Sequence, residues 1–159
     1  MRKRSRAREC ALQILYQIDI TKDDYDSCSR DFWQFQDEPD ASIREFAQDL
    51  VKGTVENMGR IDEIISEHAT NWKIERMAVV DRNILRLAAY ELLYMEDIPP
   101  KVSINEAVEI AKKFGDRNSG KFVNGILDKI NKVETRTAKT QNHKSAKLVK
   151  NSCLQKHKE

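Results

Sequence analysis

Glycine and proline are scarce, five and three in 159 residues. So few chain breakers leave little room for the tight turns of a hairpin-built sheet, and apolar residues recur at helical rather than alternating spacing, so an all-α protein is predicted. Cysteine is too sparse for a disulfide framework or a zinc site: Cys10, Cys28 and Cys153 are odd in number, far apart, and without C-x-x-C spacing or a histidine partner. That usage suits the reducing cytoplasm. The three histidines, His68, His143 and His157, stand away from any nucleophile motif, and no glycine-rich phosphate loop or dinucleotide fingerprint occurs. Neither an enzyme nor a cofactor or metal is expected. No run reaches the roughly 18 uncharged apolar residues of a membrane span, since even "NILRLAAYELLYM" holds Arg86 and Glu91. A signal peptide is not expected either, because Gln13, Gln17 and Asp19 interrupt the apolar stretch that follows the basic start.

What is abundant is charge, unevenly placed. The whole chain carries +2, the first eight residues carry +5 and residues 132–159 carry +6, which leaves −9 on residues 9–131. An acidic body with basic ends repels polyanions except where those ends reach, so a nucleic-acid contact would be local.

The spacing predicts a first helix over about 5–20, with Ala7, Ala11, Ile14, Leu15 and Ile18 as its buried stripe. Residues 21–41 read as an acidic loop holding a short helix, anchored by Phe32, Trp33 and Phe35. Ser42 and Glu45 have capping-box form and open a second helix, a third spans Gly59–His68, and a short then a long helix follow Trp72. Pro99 and Pro100 are expected to end the long helix, and Ser103 with Glu106 to cap the next. Asn118 or Ser119 can cap the last helix. Beyond Val133 apolar residues are too few to bury, so a mobile basic tail is expected over 133–159. The architecture drawn is about seven helices in two antiparallel three-helix bundles, roughly 1–72 and 73–132.

Two rings fall outside the apolar stripes. Tyr16 lies about 140° from the centre of its helix stripe, and Phe122 about 90° from the face made by Val123, Ile126, Leu127 and Ile130. Arginines bind phosphate and exposed rings stack on unpaired bases, so this pairing suits single-stranded RNA better than duplex DNA. The start of the last helix, with Gly120 and Lys121, offers a low-specificity anion site.

The blocks "RARECALQILY", "ILRLAAYEL", "KVSINEAVEIAKKFG" and "KFVNGILDKI" resemble the NusB family of bacterial transcription antitermination factors, in the family's order. The resemblance implies a helical domain over 1–132 that binds boxA RNA jointly with NusE, the small-subunit ribosomal protein in its transcription role, and helps RNA polymerase read through terminators. It implies RNA contacts from Arg4, Arg6 and Arg8, from Tyr16, and from Lys121 and Phe122, with Asp81 facing NusE; their neighbours Arg2, Lys3, Asn118 and Ser119 are expected to join the RNA contacts, and the carboxylate of Glu75 the NusE face. Two alternatives are a stand-alone relative of the helical domain of ribosomal RNA cytosine methyltransferases and a helix-turn-helix DNA binder. The first would need a further domain for its methyl donor, and the second an internal basic helix.

Overall fold

In the computed structural model, residues 2–134 are described. They form seven α-helices and no strand: α1 (Lys3–Thr21), α2 (Tyr25–Phe35), α3 (Ala41–Glu56), α4 (Met58–His68), α5 (Val79–Tyr94), α6 (Pro100–Phe114) and α7 (119–134), with a 3-10 turn at Ile74–Arg76 before α5. The expected tail, apart from its first two residues, which extend α7, lies outside the described residues.

Several helix ends depart from the capping pattern expected of them. Asp40, not Ser42, caps α3, accepting both the Ser42 amide at 2.9 Å and its hydroxyl at 2.6 Å. Asp24 does the same for α2 through the Ser27 amide at 2.8 Å. The two prolines begin α6 rather than stop α5, which has already ended at Tyr94. Pro100 sits in the first helical turn, where its missing amide costs nothing. Ser103 and Glu106 therefore lie inside α6 and hold side chains of other helices instead of capping: Ser103 donates to Glu91 at 3.1 Å, and Glu106 accepts from Ser5 at 3.0 Å.

Helix α1 packs on α3, α5 and α2, and α5 packs on α6, α4 and α3. One continuous apolar core results, from Ala7 on α1 to Ile130 on α7, so the two groups of helices share their interior. Ile61, Ile64 and Ile65 of α4 and Leu50 of α3 are fully enclosed in it, each burial contributing about 1.5–3 kcal/mol. Where α3 meets α5 a side chain is excluded: a Cβ on Gly53 would overlap the Tyr90 ring. Phe35 does not join the core. It is exposed at the end of α2, whereas Phe32 and Trp33 pack edge to face, 4.8 Å between centroids.

A buried ion network locks α1, α4 and α5 together. Asp19 accepts from Arg82 at 2.6 and 2.7 Å, from Asn83 at 2.9 Å and from Arg86 at 3.0 Å, and Arg86 also holds Asp62 at 2.8 and 3.0 Å. Burial alone would raise the Asp19 pKa, but the bonds from Arg82, Asn83 and Lys22 outweigh it and hold the carboxyl well below the usual range. The folded pKa being depressed, the stabilisation is complete above the ordinary aspartate pKa of about 4 and is lost as pH falls below it. Asp19→Asn should cost about 3 kcal/mol at neutral pH and flatten the acid branch of a stability–pH curve. An unchanged acid branch would show that the network is not what titrates.

Candidate nucleic-acid interface

The basic start of the chain divides in two. Arg2, Lys3 and Arg4 are exposed on the first turns of α1, with Lys3 3.1 Å from Asp40 and the Arg4 guanidinium 4.7 Å over the Phe46 ring. Arg6 is half-buried, donating to Gln36 at 3.2 Å and 3.6 Å from both Glu9 and Glu38. Arg8 points inward and is 3% exposed. Its Nε reaches both Glu91 carboxylate oxygens at 3.1 and 3.0 Å and its Nη2 reaches one at 2.7 Å, while Glu91 itself is 2% exposed and accepts from Ser103. Turned inward, with Nε and Nη2 on Glu91 and Nη1 3.8 Å from Glu106, this guanidinium stands apart from the exposed cations expected to contact RNA. Its work is to tie α1 to α5 and α6, and thereby to fix the direction in which Arg2, Lys3 and Arg4 leave the body.

Tyr16 is exposed, as its position off the stripe predicts. It stands two turns beyond Glu9 on the same face of α1, and Glu9 accepts from Lys113 at 2.8 Å, which draws the end of α6 against that face.

The α6–α7 connection is built around Asp116 and Ser119. The Ser119 hydroxyl accepts the Asp116 amide at 2.9 Å and Asp116 accepts the Asn118 amide at 2.8 Å. Gly115 is required there by space rather than by φ, because a Cβ on it would run into the Ser119 side chain. Ser119 is buried and its hydroxyl bonds within this turn, which sets it apart from the exposed residues expected to contact RNA. Asn118 and Lys121 are exposed beside it. A Cβ on Gly120 would meet only ordinary contacts, so that glycine needs no close approach by a ligand to explain it.

Phe122 is half-buried and meets the Trp72 ring edge to face at 6.4 Å. Trp72 is 56% exposed. It precedes α5 with no helical period to assign it a face, and its place between polar Asn71 and Lys73 is the one sequence signal that marks it as a surface ring. Around this pair opens a cavity of about 310 Å³ that Arg76, Asp81, Asp116 and Asn118 also line.

Asp81, expected to face NusE, lies inside rather than on the open surface of α5. It is 7% exposed, makes no cap bond for α5, and its Oδ1 has no hydrogen-bond partner among the described residues. Burial pushes its pKa up, the Ser119 hydroxyl partly offsets this, and the Asp116 charge adds to the rise. Glu75, by contrast, is exposed on the 3-10 turn.

Among the described residues, Glu67, His68 and Glu134 bring ligand atoms within 4.8 Å of one another. His68 already pairs with Glu134 at 3.4 Å, an ion pair that fastens the end of α7 to the end of α4 when the imidazole is protonated. Among the described residues, no helix is long and apolar enough to cross a membrane.

The NusB family model matches residues 5–132. The transcription antitermination protein NusB of Desulforapulum autotrophicum is 51% identical over 131 residues, covering 82% of this chain and 92% of the relative. That of Bacillus licheniformis is 50% identical over 128 residues, covering 80% and 95%. Among solved structures, Thermotoga maritima NusB superposes with a TM-score of 0.76 at 43% identity, covering 82% of this chain and 91% of that one. A structure of the antitermination factors NusB and NusE in complex with double-stranded RNA gives 0.77 at 32%, covering 83% and 98%. With the helical fold, the exposed cations of α1 and the match over residues 5–132 in agreement, this chain belongs to the NusB family.

Proposed function

We propose that this protein is a transcription antitermination factor that binds single-stranded boxA-type RNA together with NusE and promotes read-through by RNA polymerase in ribosomal RNA operons. It acts as a binding protein in the cytoplasm, not as an enzyme. The observation that carries the reading is the exposed Arg2-Lys3-Arg4 run on the same helix as the exposed Tyr16 ring, in a chain of this family. Cations supply phosphate affinity, and a free ring supplies a stacking platform that a base already stacked within a duplex cannot use. Lys121 and Phe122, joined by Asn118, form the second contact.

The net −9 between the basic ends supports a protein partner. A chain working alone on RNA would gain from positive charge spread over its surface, whereas exposed carboxylates such as Glu75 suit the basic side chains of a ribosomal protein. The structure that holds NusB with NusE and duplex RNA makes strandedness the point to test.

Tyr16→Ala and Phe122→Ala should each weaken single-strand binding by about 1–3 kcal/mol with little change in its salt dependence, and the melting temperature should hold for Tyr16→Ala and fall for Phe122→Ala, whose ring packs against the core. Duplex RNA of the same sequence should bind more weakly and ignore both substitutions. Equal binding of duplex and single strand, with neither ring mattering, would overturn the single-strand reading.

A further inference from the structure

Phe35 is the most exposed large apolar side chain among the described residues, 85% open to solvent. Its position on α2 makes that unexpected. Cys28 stands seven residues earlier, so the two share one edge of the helix. Cys28 is buried and its sulfur lies 3.7 Å from the Thr21 hydroxyl, so this is the edge turned to α1. Two turns further along the same edge the phenyl ring is left open.

What the ring borders is the basic start of the chain. Gln36 accepts from Arg6 at 3.2 Å, Glu38 lies 3.6 Å from Arg6, and Asp40 lies 3.1 Å from Lys3, so the segment after Phe35 is tied to the first turns of α1. Around α1, Tyr16, Arg2, Gln13 and Arg6 fall within an arc of about 80°. Helix α6 flanks this strip through Glu106 on Ser5 and Lys113 on Glu9, and the Gln36 segment flanks it at Arg6. Ten residues separate Arg6 from Tyr16, about 15 Å along the axis, so Phe35 and Tyr16 stand near opposite ends of the strip. A lone apolar side chain on a surface needs no explanation, but a ring beside a strip that already carries cations and a second exposed ring does.

The carboxylates nearby decide what the ring can add. Arg6 and Lys3 engage Glu38 and Asp40, while Asp31 and Asp37 are exposed, so Phe35 is no phosphate site. Stacking needs only a π-face, which every base has. We propose that Phe35 stacks on an unpaired base toward one end of the RNA strand that Tyr16 and the exposed cations of α1 hold. The inference rests on the single-stranded RNA reading given above, and it widens the binding surface from α1 to α2.

The test uses the full chain and a boxA-type single strand, with and without NusE. Phe35→Ala should weaken binding about tenfold, leave the log–log salt slope where it was and leave melting unchanged, since so exposed a side chain holds little of the fold. Phe35→Leu, apolar but without a π-face, should lose as much, and Phe35→Tyr should keep the affinity. Strands shortened stepwise from each end locate the contact: from one end only, shortening should abolish the difference between the unaltered protein and Phe35→Ala, while the cost of Tyr16→Ala remains. Unchanged affinity in Phe35→Ala overturns the assignment and leaves RNA binding intact. So does full affinity in Phe35→Leu, a difference that persists on every shortened strand, or a Phe35→Ala protein that loses only NusE affinity, which would give the ring to the protein partner. If the unaltered protein binds no strand, with or without NusE, the RNA-binding reading falls and this assignment with it.

Discussion

Arg8→Ala should lose about 3–5 kcal/mol of folding stability, because it leaves the Glu91 carboxylate buried with one hydroxyl donor in place of a bidentate guanidinium. In a family whose RNA affinity is expected from this arginine run, the effect should appear in a urea or thermal unfolding curve and not in the RNA affinity of the protein that remains folded. Exchanging both partners, Arg8→Met with Glu91→Leu, should recover most of the loss, since the pair's cost of burial disappears with its attraction. An Arg8→Ala protein of normal stability that has lost RNA affinity would put the guanidinium on RNA after all.

The opposite pattern is expected one turn earlier. Changing Arg2, Lys3 and Arg4 together to alanine should lower the log–log salt slope of RNA binding by about 2, roughly 0.7 for each lost phosphate contact, and weaken binding about tenfold or more at moderate salt. Melting should barely change: all three side chains are exposed, and the Lys3–Asp40 pair is a surface contact worth little. An unaltered slope would show that the exposed run does not meet phosphate.

The contrast between Arg4 and Arg8 shows where the sequence stops being legible. Helical spacing locates α1, α3, α4 and α7 to within about two residues and turns Tyr16 outward, because those outcomes depend on neighbours three and four positions away. It fails for Arg8, whose partner Glu91 is 83 residues distant. Helix α1 is enclosed on several sides, burying Arg8, Glu9 and Asp19 along with its apolar stripe, so a wheel that assigns one inward face and sends charge to water misplaces all three. The same holds for Ser103 and Glu106, which have the form of a capping box and are spent on Glu91, Ser5 and Arg8. At Pro99-Pro100 the residues were informative but ambiguous, since proline is as much at home in the first turn of a helix as after its end. Trp72 and Asp81 meet Phe122 only because the α6–α7 turn folds back over the start of α5, and no local pattern announces that.

The central claim, that this chain reads RNA as half of a pair, is tested most directly by titrating one boxA-type single strand and its scrambled counterpart into the protein, each with and without NusE, at a fixed salt concentration. The account predicts that boxA binds tighter than the scrambled strand, and that NusE tightens boxA binding severalfold while leaving the scrambled strand where it was. Equal affinities for the two strands in the presence of NusE would contradict it.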